Sequence, residues 1–119
     1  IAKVGGLDMA GMVGCYLGAA ICQMPILIDG FISAVSAYLA CMLNQTAKEY
    51  MIPTHCSAEP AAKMIMEKLG MEAPLHAGMH LGEGTGAIMG LSLIDQALNV
   101  YYHVATFEGG HVEAYTHQV

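Results

Sequence analysis

Apolar residues fall along this chain in two kinds of run, long ones at helical spacing and short ones bounded by Pro, Gly or Asp. From Gly6 to Gln23, "GLDMAGMVGCYLGAAICQ", the run is long enough to predict a helix. Asp8 stands in its first turn, where a carboxylate complements the helix dipole. Gly11, Gly14 and Gly18 share a face at spacings of three and four, which predicts close approach of another backbone. Pro25 to Ile28 is a short apolar run before Asp29-Gly30 and reads as a buried strand. Phe31 to Gln45 predicts the next helix, with Ser33 or Asp29 near its start. Tyr50 to His55 is a second short strand, weakened by Pro53. A third helix opens at Ser57 as N-cap, with Glu59 and Pro60 in its first turn, and closes at Gly70. After a loop, Gly84 or Thr85 starts a last helix running to about His103, carried by Ala87, Ile88, Leu91, Ile94, Leu98, Tyr101 and Tyr102. Residues 1–107 form one domain on this pattern, and 108–119 read as a mobile tail.

The order is α-β-α-β-α-loop-α, the alternation of an α/β domain with parallel strands and flanking helices. Two strands leave open edges that seek partners, so the pattern predicts self-association or a larger assembly. In such folds ligands bind beyond the carboxyl ends of the strands. Asp29, Gly30 and His55 to Ser57 lie there, and Glu83 joins them if the long loop folds back over that edge.

Composition narrows the function classes. The chain has 119 residues, 55% hydrophobic, and a mean hydropathy of +0.50. Met9 to Ile28 carries no charge and approaches membrane-spanning length, but Gln23 and Pro25 interrupt it, so buried α/β elements explain the run better. Net charge is −6, with four basic residues, all Lys, so the cationic footprint of a nucleic-acid binder is absent. The four cysteines include no Cys-x-x-Cys pair, and the start lacks the basic region and cleavage site of a signal peptide. Reduced thiols in a cytoplasmic protein are the expectation.

Several residues invite a chemical reading. Glu83 is an isolated acid between Gly82 and Gly84, either a general base or a solvated turn residue. Ser57 is a phosphate contact at a helix start or an ordinary N-cap. Asp29 is a contact to substrate hydroxyls or a turn and capping residue. His55 and Cys56 are adjacent in an extended stretch, so they point to opposite faces and make a poor nucleophilic pair. His76 and His80 with Glu83 sketch a metal site, but His-Glu-x-x-His is missing, and no metal is expected.

Four stretches in register, "VGGLDMAGMVGCYLGAA", "PILIDGFISA", "THCSAEP" and "LGEGTGA", followed by "ATFE" at Ala105 to Glu108, resemble the nicotinate-nucleotide–dimethylbenzimidazole phosphoribosyltransferase family. The resemblance covers Val4 to Glu108 and about the last third of the family chain. It implies a partial Rossmann-like parallel sheet, a homodimer, and transfer of phosphoribosyl from nicotinate mononucleotide to 5,6-dimethylbenzimidazole. The products are α-ribazole phosphate and nicotinate, and no cofactor is needed. Glu83 falls on the family's base, Leu81 on a residue lining the benzimidazole pocket, and Ser57 on the phosphate side. Asp8, and Asp29 with Gly30, belong to motifs near the site, as Gly82 and Gly84 do around Glu83. Two rival readings are a non-catalytic, self-associating module that at most binds an aromatic base, and a membrane-associated protein.

Overall fold

The computed structural model describes residues 5–111 and residue 113. Helix α1 spans Leu7–Ile21, strand β1 Ile26–Ile28, helix α2 Phe31–Leu43 and strand β2 Met51–Pro53, with a 3-10 turn at Gln45–Tyr50 between the last two. Helix α3 spans Pro60–Leu69 and helix α4 Thr85–His103. β1 and β2 pair in parallel, Ile26 with Met51 through Ile28 with Pro53, so β1-α2-β2 is the crossover unit of a Rossmann-like sheet. Pro53 is tolerated because it closes the short strand, and Thr54 continues the ladder by donating its N–H to the Ile28 carbonyl.

The core lies where α1, α2 and α3 meet the sheet. Val13, Tyr16, Ile28, Ala34, Ala37, Ala40, Met51, Met66 and Leu69 are all buried there. Ala34, Ala37 and Ala40 recur at three-residue spacing on α2. Their small side chains let α2 sit close to both neighbouring helices. Burial of these apolar surfaces, rather than strand length, holds the sheet, which has two strands among the described residues.

Three expectations are corrected. The Gly11–Gly14–Gly18 face of α1 does not pack against any of the described residues, since none stands within 4 Å of where a Cβ would be at any of the three. Instead α1 packs through Val13 and Tyr16, with Leu17 and Ala20 against the same cluster. Ser57 is not a helix N-cap: α3 starts at Pro60, and its cap is Glu59. The pyrrolidine ring fixes the helix entry there, two residues later than expected. α2 begins at Phe31 with Asp29 and Ser33 near its start, as expected, but ends at Leu43 rather than Gln45, where the 3-10 turn takes over.

Among the described residues no helix is long and apolar enough to cross a membrane. The Met9–Ile28 run divides between α1 and β1, as a buried α/β reading requires. Residues 107–111 form a turn, while 112 and 114–119 of the expected tail lie outside the described residues.

Candidate active site

The loop after α3 decides the geometry of the site. It runs alongside the continuation of β2: the Cys56 N–H donates to the Leu75 carbonyl, the Leu75 N–H to the Thr54 carbonyl, and the Ala58 N–H to the Met79 carbonyl. These backbone bonds return residues 80–84 to the carboxyl end of the two strands. There the Asp29 carboxylate, one residue past β1, accepts the N–H of Gly84 at 3.1 Å and of Ala87 at 2.9 Å. Gly84 brings no side chain to cap α4, so a carboxylate from a distant part of the chain does so.

Glu83 itself is held in the left-handed region at φ 57, between Gly82 at φ 77 and Gly84 at φ 80. Glycine takes this conformation freely; a glutamate there is strained by about 1–3 kcal/mol. The chain therefore turns tightly enough to leave the exposed Glu83 at the mouth of a cavity.

That cavity, of about 480 Å³, is lined by Asp8, Asp29, Gly30, Ser57, Leu81, Gly82, Glu83 and Gly84, so Glu83 and the residues that the resemblance sets around it are brought to one place. Asp8 comes from the first turn of α1, Gly30 from the start of α2, and Leu81 from the returning loop, where it is exposed. The Ser57 hydroxyl donates to the Glu59 carboxylate and lies 3.3 Å from the Met79 carbonyl. Ser57 thus ties the returning loop to the entrance of α3.

His55 and Glu59 also line the cavity; the sequence placed His55 at this end of the strands without giving it a role, and it placed Glu59 only in a helix turn. His55 is 5% exposed, and its Nδ1 is buried without a hydrogen-bond partner. Its ring lies beneath the first turn of α4, where a Cβ on Gly86 would overlap the imidazole, and within 3.6 Å of where a Gly30 Cβ would stand. The available signal was the alternation of the extended segment, which turns His55 inward and Cys56 away. Cys56 and His76 line a separate cavity, whereas His80 lines the first. His76 and His80 therefore do not converge, and no metal-ligating group of three or more His, Cys, Asp or Glu occurs among the described residues.

The arrangement suits proton transfer at an open carboxylate more than anion capture. Four carboxylates, those of Asp8, Asp29, Glu59 and Glu83, line the cavity, and among the described residues no Lys lines it. A flat ring carrying an N–H can reach Glu83 past glycine backbone, and developing positive charge finds acids on two sides.

Comparison with known proteins gives the family of the chain. A family model described as "Phosphoribosyltransferase" matches residues 1–112. The nicotinate-nucleotide–dimethylbenzimidazole phosphoribosyltransferase of Acetivibrio thermocellus is 48% identical over 119 residues, covering all of this chain and 34% of the relative. That of Clostridium acetobutylicum is 50% identical over 115 residues, covering 97% of this chain and 33% of the relative. The crystal structure of the corresponding protein from Thermus thermophilus superposes with a TM-score of 0.88 at 33% identity, over 95% of this chain and 34% of that one. The chain thus spans about a third of the length of the curated relatives it matches. Sequence motifs, family match and superposition agree: the chain belongs to the phosphoribosyltransferase family, in the branch of the nicotinate-nucleotide–dimethylbenzimidazole enzymes.

Proposed function

We propose that this chain carries the catalytic-base end of an enzyme that moves phosphoribosyl from nicotinate mononucleotide to 5,6-dimethylbenzimidazole, releasing nicotinate and forming α-ribazole phosphate. One ring nitrogen of the azole attacks the anomeric carbon, and Glu83 takes the proton from the other nitrogen as attack proceeds. The pyridinium nitrogen of the leaving group departs neutral, so no strong general acid is required. Attack opposite the leaving group inverts the anomeric centre from β to α. Asp8 stabilises the positive charge developing on the ribose, and Leu81 covers one face of the azole. Ser57 and Gly30 lie on the nucleotide side. The carboxylate-rich lining supports recognition of the azole and ribose here, with the charges that hold the phosphate supplied by other parts of the enzyme. We assign the protein to the cytoplasm and to a homodimer.

The observation that carries this reading is the exposed Glu83, left-handed between two glycines at the mouth of the cavity. The test joins this chain to the upstream two thirds of the Acetivibrio thermocellus relative and assays α-ribazole phosphate from the two substrates. Glu83→Gln should lower kcat at least about 100-fold, the scale of a lost general base. Undiminished turnover in that variant would sink the assignment.

A self-associating module is the second reading. It is favoured by the apolar outer surface of α4, where Leu98, Val100, Tyr101 and Tyr102 are exposed. Benzimidazole binding without any turnover in the joined protein would favour it.

A further inference from the structure

We infer that Asp29 is a positioning residue for Glu83, latched to the rest of the fold through Ser33 and Tyr16; the inference deepens the reading of Glu83 as base and rests on it. The Asp29 carboxylate divides its two oxygens between backbone amides, Oδ2 accepting from Gly84 at 3.1 Å and Oδ1 from Ala87 at 2.9 Å. The Gly84 N–H belongs to the peptide that follows Glu83. Fixing it fixes ψ of Glu83, and with it the direction of the Cα–Cβ bond from which the carboxylate extends. Left free, a glutamate at φ 57 would relax to negative φ and swing that carboxylate away.

Asp29 is itself held. Its N–H donates to Ser33 Oγ at 3.2 Å, and Ser33 Oγ shares a hydrogen bond of 2.5 Å with the Tyr16 hydroxyl. Tyr16 is a core residue of α1, 3% exposed. One hydrogen-bonded chain thus runs from the α1 core through the start of α2 and the end of β1 to the left-handed glutamate. Each Asp29 oxygen thus accepts one backbone N–H at the start of α4, so this carboxylate holds the turn, while Asp8 lines the same cavity from α1.

The test uses Asp29→Asn, which keeps the shape and one acceptor, and Asp29→Ala. In this chain, amide hydrogen exchange at Gly84 and Ala87 should quicken about tenfold or more in Asp29→Ala, as loss of a charge-assisted bond requires, and less in Asp29→Asn. Unchanged exchange at both amides in both variants overturns the latch, and this readout stands whether or not Glu83 is a base. In the joined enzyme, Asp29→Asn should lower kcat at least tenfold and leave the KM for nicotinate mononucleotide within about twofold. Ser33→Ala should move kcat in the same direction by less. A KM that rises with kcat unchanged assigns Asp29 to substrate contact and overturns the positioning role. Should Asp29→Ala fail to fold, the exchange and kinetic comparison of Asp29→Asn with the parent decides alone.

Discussion

Two helices of this protein carry glycines at close spacing, and they use them in opposite ways. On α4, Gly86 and Gly90 are buried, and a Cβ at either would run into His55 or Thr54. On α1, Gly11 and Gly14 face open space. The same residue at similar spacing therefore marks a close approach in one helix and an unpartnered face in the other. Spacing alone could not separate the two. What separates them is a strand end: β2 runs directly into Thr54 and His55, whose side chains fill the room that α4 leaves.

That contrast can be broken by substitution. The largest effect belongs to Gly86→Ala, which should destabilise the chain by about 1–3 kcal/mol, because the overlapped imidazole is buried and has little room to yield. Urea midpoints check it. Pairing Gly86→Ala with His55→Ala should cost less than the sum of the two, since both act on one contact. Gly90→Ala should cost somewhat less, about 1–2 kcal/mol. Its Cβ would stand 2.6 Å from Thr54 Cβ, and the Thr54 hydroxyl is committed to the Ile28 carbonyl at 2.6 Å.

The inner face of α1 supplies a smaller effect. Tyr16→Phe removes the hydroxyl bound to Ser33 and should cost about 1 kcal/mol near neutral pH. Burial pushes the Tyr16 phenol up, against the pull of the Ser33 hydrogen bond. The folded state thus keeps its proton to higher pH than the unfolded state does. Its contribution is complete below the unfolded value near 10 and is lost as pH rises from there through the folded value. Thermal midpoints measured from pH 8 upward should fall less steeply in Tyr16→Phe than in the parent.

The smallest effect should come from Gly11→Ala and Gly14→Ala. With nothing to meet, the added methyl groups should stabilise α1 by up to about 1 kcal/mol each through helix propensity. A loss of stability instead, in thermal melts, would mean that another surface covers this face and that α1 resembles α4 after all.

Much of the fold was legible in the pattern of residues. Among the described residues, the four helices and two strands follow the apolar runs and the cap and stop residues around them, and α4 begins at the glycine-rich junction where the pattern put it. Boundaries decided by a single local competition were less legible. Pro60 took the first position of α3 and left Ser57 outside, free to bind Glu59 and the returning loop. The 3-10 turn at Gln45–Tyr50, capped by the Asn44 side chain onto the Thr46 N–H, had no apolar period to announce it.

The candidate site divides in the same way. Its residues stood out because their types are chemically expressive: an acid among glycines, an acid at a strand end, a hydroxyl before a helix. The partnership between Asp29 and α4 reaches across 55 to 58 residues, and the seat of His55 beneath Gly86 depends on two elements that share no period. Local pattern reports only what neighbours three or four positions apart require. Sequence by itself thus determined the elements, their parallel order and the identity of the acid at the mouth of the cavity. Only the tertiary structure decided which glycines are packed, which carboxylate holds which helix, and how Glu83 is turned toward the cavity, because those depend on contacts between segments that meet only once the chain has folded.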